Sequence, residues 1–153
     1  MQKTSLKLYE YYNLETELNG SVDAQNGEIL STGLLTERLK LTSKYWIYDL
    51  SAKVVAEKAA IEKMKSELVQ KHGSVDEQGN FSITRFINVV RNEAGEFVSG
   101  DNNPKYVDFQ NDFNTILNEE KEIEHKQFKL EDFENVETNS IYPTFFKLIN
   151  AGE

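Results

Sequence analysis

Residues 34–72 read LLTERLKLTSKYWIYDLSAKVVAEKAAIEKMKSELVQKH, and this stretch decides the fold. It lacks Pro and Gly and is rich in Ala, Glu, Lys and Leu, the residues that lose least freedom in a helix. Ile47, Leu50, Val54, Ile61, Met64 and Leu68 fall at steps of 3, 4, 7, 3 and 4, an apolar seam in which Glu57 holds the position that would complete it. Thr36 with Glu37 offers a start. Lys71, His72 and Gly73 offer a stop, with cations facing the negative end of the helix dipole and Gly suited to the left-handed residue that follows it. Glu67 and Lys71 form a favourable i,i+4 pair. Such a helix spans roughly 50 Å, longer than most globular helices, so an elongated hairpin or bundle is expected. The Leu41-Thr42-Ser43 step is where it could divide in two, with Ser43 as a second cap.

Upstream, residues 5–18 read as a short helix capped by Thr4 or Ser5 and stopped at Asn19-Gly20, with an extended N-terminal strand as the alternative. Residues 19–33 hold three glycines among Asn, Asp and Ser, a loop or short hairpin with its tight turn at Asn26-Gly27. Downstream, Asp76 to Asn80 is a turn. Residues 81–90 are β-branched and aromatic and read as one strand, returning through Asn92 to Gly95 into a strand at residues 96–98. Asn103 caps, and Pro104 opens, a helix whose apolar face carries Tyr106, Phe109, Phe113, Ile116 and Leu117. Residues 119–129 alternate as a short solvent-facing strand. Residues 130–133 form a turn or a single helical turn. Asn139 or Ser140 caps a last helix with Ile141, Phe145, Leu148 and Ile149 inward. The expected fold class is α+β, mainly α: a long helix or helical hairpin, a small antiparallel β-hairpin or sheet, and short C-terminal helices.

The chain has 153 residues with 26 acids and 17 bases, a net charge of −9, and no cysteine. A disulfide framework and Cys-based zinc sites or nucleophiles are thereby excluded. So negative a chain is a poor neutraliser of phosphates, which argues against nucleic-acid partners. No stretch approaches the ~20 apolar residues of a membrane span, and no signal peptide opens the chain. The length fits a single domain over residues 1–153, divided by charge. Residues 1–75 hold ten bases and ten acids, whereas residues 76–153 hold seven and sixteen. This defines a neutral helical part, 1–73, and an acidic α+β part, 74–153. Nine Phe, seven Tyr and one Trp among few aliphatics fit either a small aromatic core or a core completed against a partner.

Motifs for nucleotide binding, serine hydrolysis or zinc peptidase chemistry are absent, and Asp76 to Gly79 does not fit a calcium loop. His125 reads as an exposed histidine on an acidic edge or, more sharply, as a carboxylate-tuned base; His72 reads as a helix-terminal cation. The acidic run Glu119, Glu120, Glu122, Glu124, Glu131, Asp132, Glu134 and Glu137 reads as a solvated edge, a divalent-cation site or a surface for a basic partner. Tyr45, Trp46, Ile47 and Tyr48 make their segment apolar nearly all round. That fits a helix threading the core, or a protein contact anchored by Trp46. The interface candidates are Tyr45, Trp46 and Tyr48, with Phe81, Ile83, Phe86 and Phe97 of the hairpin region.

The order of segments carries a resemblance. Residues 35–46 (LTERLKLTSKYW) run into a charged helix ending at residues 68–73 (LVQKHG). Residues 76–80 (DEQGN), a second helix and residues 122–136 (EIEHKQFKLEDFENV) follow. This resembles small proteins encoded among the virion and tail genes of tailed bacteriophages, crAss-like phages of gut Bacteroidetes included. Residues 81–103 depart from the shorter form of that pattern. The resemblance implies a phage virion structural or assembly component, such as a tail or head–tail ring or connector subunit. It implies location in the virion, and in the host cytoplasm during assembly, with other virion proteins and further copies of the chain as partners. It supplies no functional residues. The expectation is therefore a non-enzymatic, homo-oligomeric interaction protein without cofactor or metal and without nucleic-acid or membrane partners. The alternative is an acidic host-directed regulator that occupies a basic protein surface, motivated by the charge after residue 75. A metal-dependent hydrolase using the late carboxylates ranks last.

Overall fold

The computed structural model describes residues 1–136 and 142–150. The fold is α+β and mainly helical. Its elements are β1 (Gln2–Lys7), α1 (Leu8–Asn19), β2 (Ser21–Val22), β3 (Ile29–Ser31), α2 (Leu41–His72), β4 (Ser74–Val75), β5 (Phe81–Ser82), β6 (Phe86–Arg91), β7 (Phe97–Asn102), α3 (Pro104–Leu117), β8 (Glu120–His125) and α4 (Pro143–Asn150). Two compact units result, residues 1–60 with 118–153, and residues 61–117. The division does not follow the charge boundary near residue 75, because β8 returns to pair with the first strand.

In the first unit β1 and β8 form an antiparallel pair in the register Gln2↔His125, Thr4↔Ile123 and Leu6↔Lys121. Residues 5–18 are thus not one helix. Thr4 and Ser5 belong to the strand and cap nothing; the helix starts at Leu8, where the Glu10 carboxylate accepts the Lys7 N–H at 2.9 Å. Local propensity leaves strand and helix both open here, and the partner strand that decides lies more than a hundred residues away. The β2–β3 hairpin turns at Gly27, with φ 72°, as the Asn26-Gly27 pair predicts. Its base is tight: a Cβ on Gly33 would lie 2.4 Å from the Leu18 carbonyl oxygen.

α2 is one continuous helix, and it starts later than Thr36. Residues 34–36 form a 3₁₀ turn in which the Thr36 hydroxyl donates to the Gly33 carbonyl at 2.6 Å, and Glu37 is extended. The division anticipated at Leu41-Thr42-Ser43 falls just before it instead, and Ser43 is a buried residue inside α2 rather than a second cap. At the other end the helix stops after His72 as expected, with the Gly73 N–H donating to the Val69 carbonyl at 2.7 Å, but Gly73 is not left-handed; a Cβ there would lie 2.4 Å from the Ser82 carbonyl oxygen, so the glycine is needed for room. Ile47, Leu50 and Val54 of the seam are buried with Leu6, Tyr11, Leu14, Leu18, Leu34, Ile123, Phe128, Phe145 and Leu148. Each of these fully buried aliphatic or aromatic side chains contributes about 1.5–3 kcal/mol. Glu57, at the polar seam position, reaches Lys121 of β8 at 2.6 Å. Asn19 and Ser51 exchange hydrogen bonds of 3.0 and 3.1 Å, and Lys58 meets Glu15 at 3.2 Å, so α1 and α2 are tied by polar contacts around the apolar ones. The caps expected at Asn139 and Ser140, and the inward Ile141, lie outside the described residues; Phe145 and Leu148 are buried and Ile149 is half-buried.

The second unit contains two hairpins. Residues 81–90 are not a single strand: β5 pairs back to β4 and β6 pairs forward to β7. Asn103 holds the link between them, its side-chain amide donating to the Thr84 carbonyl at 2.8 Å and its backbone N–H to the Arg85 carbonyl at 3.0 Å. Asn103 Oδ1 also accepts the Lys105 N–H at 3.1 Å, the cap that the Asn-Pro sequence predicts for α3. Asp112 of α3 bonds His72 Nε2 at 2.7 Å and Lys71 at 3.3 Å, so both basic side chains at the end of α2 hold α3. These two partners, His72 first, hold the Asp112 carboxyl below its ordinary range. Ile61 and Phe109 are the buried apolar residues of this unit; of the expected α2 seam, Leu68 is only half-buried and Met64 is exposed, so the seam is covered no further than Ile61.

Candidate interaction surfaces

Of the two readings of the 45–48 segment, a helix threading the core and a protein contact, the first is overturned. Ile47 is fully buried, Trp46 is half-buried, and Tyr45 and Tyr48 are 63% and 56% exposed. One residue of helix turns the side chain by about 100°, so the buried seam of α2 leaves both tyrosines outside it. Trp46 is held edge-on by Tyr45, with ring centroids 5.1 Å apart, and Lys126 lies 5.6 Å from its ring centre. Leu41 and Val55 of the same helix are also exposed. They were missed as candidates, though their spacing from Tyr45 and Tyr48 is legible in the sequence.

The other candidates lie in the second unit. Phe81 is exposed on β5, and Ile83 is half-buried in the link that follows. Phe86 and Phe97 pack across the β6–β7 ribbon at 5.2 Å. Gly100 permits this: a Cβ there would sit 3.2 Å from Phe86 Cβ and 3.3 Å from the Phe97 ring. The ribbon is irregular, with two shifts of register and Asn88 at φ 53°, where its amide donates to Asp101 at 3.0 Å. Ile87, Val89, Val90, Phe97 and Val98 are exposed on it, and among the described residues β6 and β7 pair with no other strand.

The titratable candidates resolve differently. His125 is not exposed; it is buried, 1% accessible, with its ring parallel to Phe128. The β1–β8 register is the reason: His125 shares the inner face of β8 with Ile123, and β1 covers that edge. Its Nδ1–H donates to the Lys126 carbonyl at 2.8 Å, so in the neutral ring Nε2 accepts the Thr4 hydroxyl at 2.7 Å. Burial pushes its pKa down, with the Lys53 charge adding to the effect and the Lys126 carbonyl opposing it. No carboxylate tunes it. In the acidic run, Glu122 approaches Lys3 at 3.9 Å, Asp132 Lys40 at 3.7 Å and Glu131 Lys129 at 3.9 Å; Glu137 lies outside the described residues. Among the described residues no three His, Asp or Glu side chains converge as metal ligands would.

Two concavities accompany these surfaces. An open cleft of about 520 Å³ runs beside Trp46 between Thr42, Ser43, Lys126, Lys129, Glu131 and Asp132; its mixed charge selects no ligand sign. An apolar cavity of about 210 Å³ lies among Leu34, Phe133, Val136, Tyr142, Phe145 and Ile149. Among the described residues no helix is long and apolar enough to cross a membrane. Comparison with protein-family models, curated proteins and solved structures gives no match.

Proposed function

We propose that this chain is a non-enzymatic structural or assembly subunit of a phage particle, acting through protein–protein contacts. The phage context rests on the resemblance of segment order given above. The contact role rests on one observation: the β6–β7 ribbon presents Ile87, Val89, Val90, Phe97 and Val98 to solvent. A two-stranded ribbon is marginal in water by itself, and unpaired strand edges accept a further strand from a partner. A fold that maintains such a ribbon gains from it when a neighbour covers it. The acidic-regulator alternative draws less support, because lysines of the same chain already accompany Glu122, Glu131 and Asp132.

Purified particles should contain this chain by mass spectrometry, at a copy number fitting a ring or sleeve. The isolated chain should bind a virion protein, and Val90→Asp should abolish that binding without changing the far-ultraviolet circular dichroism. A chain absent from particles that binds no virion protein would refute the reading.

A further inference from the structure

Six positions of α2 form a second stripe. Leu41, Tyr45, Tyr48, Ala52, Val55 and Ala59 recur at steps of 4, 3, 4, 3 and 4, and all six are exposed. At about 100° per residue this stripe lies roughly 150° round the helix from the buried Ile47, Leu50 and Val54. An alternation of 3 and 4 on the outer face, apolar throughout, is the pattern of a helix that packs against another helix.

From this pattern we infer that α2 pairs antiparallel with α2 of a second copy of this chain, about a two-fold axis at the level of Leu50. The stripe is complementary to itself in size. In that register Leu41 faces Ala59, Tyr45 faces Val55 and Tyr48 faces Ala52, each larger side chain meeting a smaller one. An isologous contact needs such self-complementarity. A parallel pair would instead stack tyrosine on tyrosine and alanine on alanine, which cannot keep one interaxial distance along the seam. Of the charges flanking the stripe, Asp49 meets Lys53 at 3.0 Å and Lys58 meets Glu15 at 3.2 Å within each copy, and Lys44, beside Leu41 and Tyr48, comes level with Ala56 of the second copy in that register, not with a like charge. Leu41 is 85% exposed, Tyr45 and Tyr48 are more than half exposed and Val55 nearly half. With the two alanines the stripe exposes roughly 600 Å² per copy, so it alone supplies at most about 1,200 Å² to a pair, the lower end of specific interfaces. The inference deepens the assembly reading by naming its self-contact, and it stands on α2 alone rather than on the ribbon.

The chain has no cysteine, so single Cys variants report on orientation directly. Leu41→Cys mixed with Ala59→Cys should form a disulfide-linked pair, while either variant alone should not, because its copies of the same residue lie roughly 27 Å apart along the axis. Sedimentation equilibrium of the unmodified chain should give the dimer mass. Tyr48→Glu should halve it with unchanged circular dichroism, and Val90→Asp should leave it dimeric. A monomer at all concentrations, a dimer indifferent to Tyr48→Glu, or cross-linking by each Cys variant alone would overturn the inference. Retained binding of a virion protein by that monomer would leave the assembly reading standing. A dimer that binds no virion protein would refute that reading and not this one.

Discussion

Glu17 of α1 caps a helix that begins 126 residues later: its Oε1 accepts the backbone N–H of Thr144 at 2.9 Å and of Phe145 at 3.1 Å. Both N–H groups belong to the first turn of α4, where no intrahelical acceptor exists and the dipole favours a negative charge. Lys147, one turn on, reaches the buried Glu10 of α1. α4 is thus held by α1 at its start as well as along its apolar face.

Glu17→Ala should cost about 1 kcal/mol, as lost N-terminal caps do, and loosen α4 first. Urea denaturation gives the size, and hydrogen exchange should show residues 144–149 losing protection before α1 does. Equal loss across both helices would contradict a capping role.

The buried His125 makes stability depend on acid. Its folded pKa lies below the ordinary value, so the unfolded chain binds the proton more readily. Stability is complete above about pH 6.5, the unfolded value, and falls as pH drops from there toward the depressed folded value, by at most about 1.4 kcal/mol per pH unit. His125→Gln should flatten that limb of the urea midpoint against pH. Thr4→Val, which strips the 2.7 Å partner of Nε2, should lower stability by about 1–3 kcal/mol at neutral pH.

Tyr11 should titrate late. Burial, helped by the Glu57 charge, pushes its hydroxyl up to about 12, while the hydroxyl donates to the Lys121 carbonyl at 3.1 Å. The folded state therefore holds this proton where the unfolded state loses it, and stability declines from about pH 10 upward. Phenolate absorbance compared with Tyr11→Phe isolates the group, and Glu57→Gln should move its midpoint down.

Gly33 is required for room rather than for conformation. Its φ is −81°, open to any residue, but a Cβ would lie 2.4 Å from the Leu18 carbonyl oxygen and 2.5 Å from the Gly20 nitrogen. Backbone cannot step aside as a flexible side chain does, so Gly33→Ala should cost about 1–3 kcal/mol in urea denaturation. Gly27→Ala, in the same hairpin, meets nothing within 4 Å. Its cost should be the smaller one of a left-handed residue, about 1 kcal/mol.

Those features that arise within a turn or two of chain were legible in the sequence. The inner seam of α2 from Ile47 to Ile61, the position of its end before Gly73, the Asn26-Gly27 turn and the Asn103–Pro104 helix start each depend on near neighbours, and residue type specifies them, although Met64 of the same seam is exposed. The start of α2 and the division of residues 81–90 were not legible, and the strand at residues 2–7 was legible only as the alternative to a helix. Each is settled by hydrogen bonds to distant backbone, or by a competing local turn such as the one Thr36 makes with Gly33. The candidate surface divided the same way. Periodicity marked Tyr45, Trp46 and Tyr48 as unusual, but which of them stay in solvent depended on where α1 and β8 pack. His125 shows the limit most plainly, since the same Glu-flanked histidine is an exposed cation on a free edge and a buried neutral ring beneath Thr4. Side-chain spacing is a property of the chain, and it determined the helices. Burial is a property of what the chain returns to cover, and only the tertiary structure decided it.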